Sequence, residues 1–226
     1  MKARSLVRLL SAVCFVVPVA IAGQSSEAVA CGESIAFEVD PNVLLLSQAE
    51  GALQTGQPRA AALAAIKVFP TIKSLKPGAA PLLPRAQRIV AMAIVQTDGL
   101  LNDGKVFSAS TADERRANLE WAIGTLRRLS IAKKNNPAAQ TDLGEALARL
   151  PETQSEALGT LEKLARKDLV TSAGGYEALA KLRKAAGDDD GYALAMKKVE
   201  ALTKKRRPAG PAAPVIAKPK NGIFST

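Results

Sequence analysis

Gln140-Thr141-Asp142-Leu143-Gly144-Glu145-Ala146-Leu147 and, 36 residues further on, Tyr176-Glu177-Ala178-Leu179-Ala180-Lys181-Leu182-Arg183 carry the same pattern. In each, the first, fourth, fifth and eighth positions fall on one face of a helix. The first copy breaks at Pro151 and resumes with Ala157, Leu158, Leu161 and Leu164. The second breaks at Gly187 and resumes with Ala193, Met196 and Val199, 35 residues beyond Leu158, Leu161 and Leu164. The repeated unit is therefore a pair of short amphipathic helices. A single hairpin of this kind cannot bury its apolar face, whereas stacked neighbours share a continuous core. The tandem predicts an all-α fold of antiparallel helical hairpins, of a kind that holds partners rather than transforms substrates.

The same unit extends towards the N-terminus. Leu46, Ala49 and Leu53 run at helical spacing, Gly56-Gln57-Pro58 makes a turn, and Ala61, Ala65, Val68 and Phe69 continue to Pro70. This predicts an earlier hairpin whose alanines allow close helix approach. Pro70, Pro77, Pro81 and Pro84 punctuate a linker, after which Arg85–Gln96 carries Ile89, Val90, Met92, Ala93 and Val95 on more than one side. Such a helix belongs in the middle of the stack. Residues 97–110 hold the turn signals Asp98-Gly99 and Asp103-Gly104, with Lys105–Ser108 as a candidate extended piece. A loop of this length is either a lid over a groove or an indifferent excursion. Thr111 and Glu114 have the spacing of a capping box, opening a helix that reaches towards Lys134 before Asn135-Asn136-Pro137 stops it.

The chain opens with Lys2, Arg4 and Arg8, then an apolar stretch from Leu9 to Ala22, the layout of a secretory signal peptide over residues 1–22. Ala20-Ile21-Ala22 supplies one cleavage site. Ala28-Val29-Ala30 supplies a second just before Cys31, and it resembles the site at which bacterial lipoproteins are cut and their cysteine acylated. Removal of the leader takes Cys14 with it and leaves Cys31 alone, so an internal disulfide is excluded; that thiol is acylated, paired with another chain, or free. Residues 23–42 read as a flexible segment, 43–202 as the helical domain, and 203–226 as a disordered basic tail with four prolines. Of the ten net positive charges, three precede residue 23 and six follow residue 202, which leaves the body close to neutral.

Histidine is absent, which removes Ser-His-Asp and Cys-His catalysis and imidazole zinc sites. No catalytic, cofactor-binding or metal-ligating set emerges, and the chain reads as non-enzymatic. Asp188-Asp189-Asp190-Gly191 lacks the alternating oxygens and distant acid of a calcium loop and is read as a helix cap after Gly187. Trp121 is read as core packing between hairpins. In Lys204-Lys205-Arg206-Arg207-Pro208 no aromatics interleave with the cations, which argues against single-stranded nucleic acid; an anionic envelope surface is the electrostatic alternative.

On the residues of the tandem, the chain resembles tetratricopeptide repeats: Leu143-Gly144 and Leu179-Ala180 stand at the Leu-Gly position, and Ala157 and Leu161 at the second-helix positions. Gln140 and Arg183 depart from the bulky residues expected there. The resemblance implies a right-handed superhelix with a concave groove lined by the first helix of each hairpin. Groove-facing positions would then be Thr141 and Glu145, Glu177 and Lys181, and Lys184 a turn later. They lack the Lys/Asn set that clamps a C-terminal carboxylate, and their mixed charge implies a polar or helical peptide ligand. The function expected is an exported scaffold that captures a protein or peptide. The alternative is an envelope lipoprotein tethered through Cys31, with its tail on an anionic surface.

Overall fold

The computed structural model describes residues 40–76 and 78–206. The expectations for the leader, the two cleavage sites, Cys31 and the chain beyond Arg206 lie outside those residues. Eight helices follow one another: α1 (Pro41–Gln54), α2 (Pro58–Val68), α3 (Leu83–Gln96), α4 (Ala112–Ala132), α5 (Pro137–Leu147), α6 (Gln154–Ala165), α7 (Ala173–Ala185) and α8 (Asp189–Arg206). A single 3₁₀ turn at Pro151–Thr153 precedes α6. There is no strand among the described residues, and no described helix is long and apolar enough to cross a membrane.

Local chemistry sets the helix boundaries. The Thr111 hydroxyl accepts the Glu114 N–H at 3.1 Å while Glu114 Oε2 accepts the Thr111 N–H at 3.0 Å, so the capping box opens α4. The side chains of Asp40, Asn136 and Ser172 each accept one backbone N–H in the first turn of α1, α5 and α7, without the reciprocal bond, each such cap contributing about 1 kcal/mol. Asp188 accepts the Gly191 N–H at 2.8 Å and leaves Asp189 and Asp190 in the first turn of α8, the capping role expected of the acidic run. α8 continues four residues past Leu202, where the tail was expected to start. No helix breaker intervenes before Pro208, and Thr203 Oγ1 donates back to the Val199 carbonyl at 2.8 Å.

Each helix packs on the next, giving four antiparallel hairpins. The odd-numbered helices also touch in succession, α1 on α3, α3 on α5 and α5 on α7, whereas no two even-numbered helices make a comparable contact. The odd helices thus form a shared inner layer. α3 is buried on nearly every side, from Leu83 through Val95, as a mid-stack helix must be.

Within the third hairpin, Gly144 is where α6 comes closest: a Cβ there would stand 2.7 Å from the Leu161 side chain, which is fully buried. In the fourth hairpin the equivalent positions are Ala180 and Met196, a larger residue facing a more adaptable one. Arg183, which breaks the apolar pattern, ties three elements together. Its Nη1 donates to the Gly191 carbonyl at 3.1 Å, and its Nε lies 3.7 Å from Glu162 of α6 and from Asp188.

The 97–110 segment is neither a lid nor an excursion, and Lys105–Ser108 forms no strand. Asp103 Oδ1 gathers the N–H groups of Val106 and Phe107 at 2.9 and 2.7 Å, folding the loop on itself. From α4, the buried Asn118 amide donates to the carbonyls of Gly99, Leu101 and Ser108. Phe107 is buried and meets Trp121 edge-on with ring centroids 5.1 Å apart, so the half-buried tryptophan packs against the core beneath the 97–110 loop rather than between hairpins.

Gly144→Ala should lower stability by about 1–2 kcal/mol, because overpacking against Leu161 outweighs the roughly 1 kcal/mol helix-propensity gain of alanine. Urea unfolding checks this, and a second substitution, Leu161→Ala, should abolish the additional penalty of the first.

Candidate functional site

The inner layer presents three depressions that run into one another. The first lies between α3, α4 and α5 and is lined by Arg85, Arg88, Leu126, Lys133 and Asp142. The central one, about 300 Å³, is lined by Glu50, Leu53 and Gln54 of α1, Arg88, Met92 and Gln96 of α3, Asp142 and Glu145 of α5, and Ser172 and Gly174 at the start of α7. The third, beside α7, is lined by Arg149, Gln154, Glu177, Ala178 and Lys181. Glu50, Arg88 and Asp142 belong to both the first and second, and Gly174 to both the second and third. Three adjacent depressions thus lie along the odd helices, with a polar centre.

That centre is held by ion pairs. Arg85 forks onto Glu50, Nε to Oε1 at 2.8 Å and Nη2 to Oε2 at 2.6 Å, and Nη2 also donates to Ser47 Oγ at 2.8 Å. The hydrogen bond from Arg85 holds the Glu50 carboxyl below its ordinary range. Arg88 Nε donates to Asp142 Oδ2 at 2.6 Å. Asp142 is nevertheless so enclosed that burial pushes its carboxyl up, with Arg88 pulling the other way.

Glu145, one helical turn from Asp142, has no ion-pair partner of this kind. It is 3% exposed, and the hydrogen bond recorded to it is a long one, 3.4 Å from the Ser172 hydroxyl. Burial pushes its carboxyl up to about 7; Arg149 opposes the shift, while Asp142 and Glu177 add to it. Its oxygens lie so close to α7 that a Cβ on Gly174 would stand 2.6 Å from them.

The five positions expected to face the groove therefore separate. Thr141 is fully buried. Its hydroxyl donates to the Pro137 carbonyl at 2.8 Å and accepts the Thr171 N–H at 3.3 Å, so it belongs to the α5–α7 packing rather than to an open face. Glu145 reaches the central cleft as a buried group. Glu177 and Lys181, the equivalents of Thr141 and Glu145 in the next hairpin, are exposed and line the third depression. The reason is position in the stack: α7 covers α5, and no described helix covers α7 in the same way. Lys184 turns away from the groove, with its Nζ 5.0 Å from the centre of the Tyr192 ring on α8.

The polar centre itself was not anticipated. Arg85 and Arg88, two cations a turn apart on an otherwise apolar helix, were the available signal, and Asp142 and Glu145 repeat that spacing in acids on α5. The arrangement can accept hydrogen bonds and positive charge through carboxylates. Among the described residues no three side chains of His, Cys, Asp or Glu cluster to hold a metal ion.

Comparison of the chain with protein-family models, with curated proteins and with solved structures returned no match.

The high Glu145 value has a sign for stability. The unfolded chain releases this proton near 4.5 and the native chain near 7, so the native state binds more protons between these values and stability falls as pH rises through that window. The cost, about 3 kcal/mol above the window, disappears in Glu145→Gln. That variant should be more stable than the parent by about 2–3 kcal/mol at pH 8 and by under about 1 kcal/mol at pH 5, measured by urea unfolding at the two pH values.

Proposed function

We propose that this chain is an exported, non-catalytic scaffold of the tetratricopeptide kind that captures a protein or peptide along the groove of its odd helices. The observation that carries the reading is the succession of three adjacent depressions along the odd helices, with Glu177 and Lys181 presented to solvent at one end. Opposite charges one turn apart suit a polar or helical peptide better than a single anionic terminus. The Gly144–Leu161 approach and the succession of odd helices support the repeat kinship. Export rests on Lys2, Arg4, Arg8 and the Leu9–Ala22 stretch. A second reading, an envelope lipoprotein, is favoured by the placement of Cys31 directly after Ala28-Val29-Ala30. In that reading the basic residues 204–207 meet an anionic surface, an attraction that salt screens.

A photo-crosslinking residue at position 177 or 181 should give one discrete adduct in cells, and the same residue at the exposed position 197 on α8 should give none. The adduct should survive truncation after Arg206 combined with replacement of Lys204, Lys205 and Arg206 by glutamine. Adducts equally strong from position 197, or lost with the tail, would contradict the groove reading. The intact mass of the chain recovered from the envelope should show loss of residues 1–22; loss of residues 1–30 with acyl mass on Cys31 supports the lipoprotein reading instead.

A further inference from the structure

We propose that the central cleft is an anchor site for one cationic side chain, a lysine or arginine of the captured polypeptide, inserted against Glu145. The inference rests on the groove reading and names the chemistry its centre recognises. Four charged side chains line the cleft, three acids (Glu50, Asp142, Glu145) and one base (Arg88). Glu50 is taken by Arg85, and Asp142 by Arg88. Glu145 is left with the distant Ser172 hydroxyl, although it is as fully withdrawn from water as Asp142, each being 3% exposed.

A buried carboxylate without an ion-pair partner is costly in its charged form, and a cation brought to it recovers much of that cost. The groups facing Glu145 from each packed element do not supply one. α1 offers Glu50, already paired, with Leu53 and Gln54; α3 offers Arg88, committed to Asp142; α5 offers Asp142 and the turn after it Arg149; and α7 offers Glu177, a like charge. Arg149 acts on Glu145 through space, without a hydrogen bond to it, and lines the neighbouring depression. Lys133, which acts on Glu50 and Asp142, lines the depression on the other side.

The walls suit a long aliphatic stem with a charged head. Leu53 and Met92 give apolar surface, and Gln54 and Gln96 add amide carbonyls that can accept from an ammonium or guanidinium. Gly174 contributes by absence, since any side chain there would collide with the Glu145 carboxylate.

The test uses n-butylammonium and ethylguanidinium as side-chain probes on the full chain, with methanesulfonate as an anionic control and the Glu145 carboxyl carbon observed by NMR. Saturable millimolar binding of the cations, with no binding of methanesulfonate, is the expected result. Glu145→Gln should weaken it about tenfold or more, the scale of losing one charge-assisted pair, while Glu200→Gln on the exposed face of α8 leaves it unchanged. Because the cation binds the ionised acid, affinity should fall about tenfold between pH 8 and pH 6. Unchanged binding in Glu145→Gln, or no saturable shift in the parent chain, overturns the proposal. The crosslinking result separates the two readings: adducts at 177 or 181 that persist at full yield in Glu145→Gln leave the groove standing and remove the anchor, whereas cation binding without any adduct leaves the anchor and removes the groove as a capture surface.

Discussion

The first turn of α7 lies directly on α5, and only because two residues there have no side chain. A Cβ on Gly174 would stand 2.6 Å from the Glu145 carboxylate, and one on Gly175 equally close to the Thr141 methyl. This approach buries both α5 residues, brings Ser172 to the edge of the cleft, and makes α7 part of a shared inner layer. Burial without an ion-pair partner then sets the character of Glu145, an acid that holds its proton towards neutral pH. A side chain at either glycine would force α7 to shift away from α5 and would loosen the cover over Glu145.

Much of the architecture was legible because it is written in local chemistry. The 35- to 36-residue offset located the third and fourth hairpins, the Thr111–Glu114 spacing located the start of α4, and the apolar breadth of Arg85–Gln96 placed α3 inside the stack. The Asp188 run read correctly as a cap, since an aspartate ahead of a helix satisfies N–H groups that nothing else reaches.

What escaped depends on neighbours distant in sequence. A repeat pattern assigns Thr141 and Glu177 to equivalent faces, but whether such a face is open depends on whether another hairpin stacks on it, and that differs between α5 and α7. The polar centre required knowing that Arg88 of α3 meets Asp142 of α5, 54 residues away. The 97–110 loop looked unconstrained because its restraints come from elsewhere: Asn118 takes three of its carbonyls, and Trp121 receives Phe107. Arg183 appeared as a defect in the repeat until α6 and α8 supplied its partners.

Nine of the ten net positive charges lie outside residues 23–202, so the helical body itself is close to neutral and its groove is set by local pairs rather than by a long-range field. The contact between α3 and α5 is the thinnest of the odd-helix series, and it is there that the acids converge. The most direct measurement is an NMR titration of the Glu145 carboxyl carbon in the intact chain. A midpoint of about 7 is the result expected of an acid packed under α7 at the wall of the cleft, and a midpoint near the ordinary 4.5 would mean that α7 does not cover α5, contradicting both the packing and the site built on it.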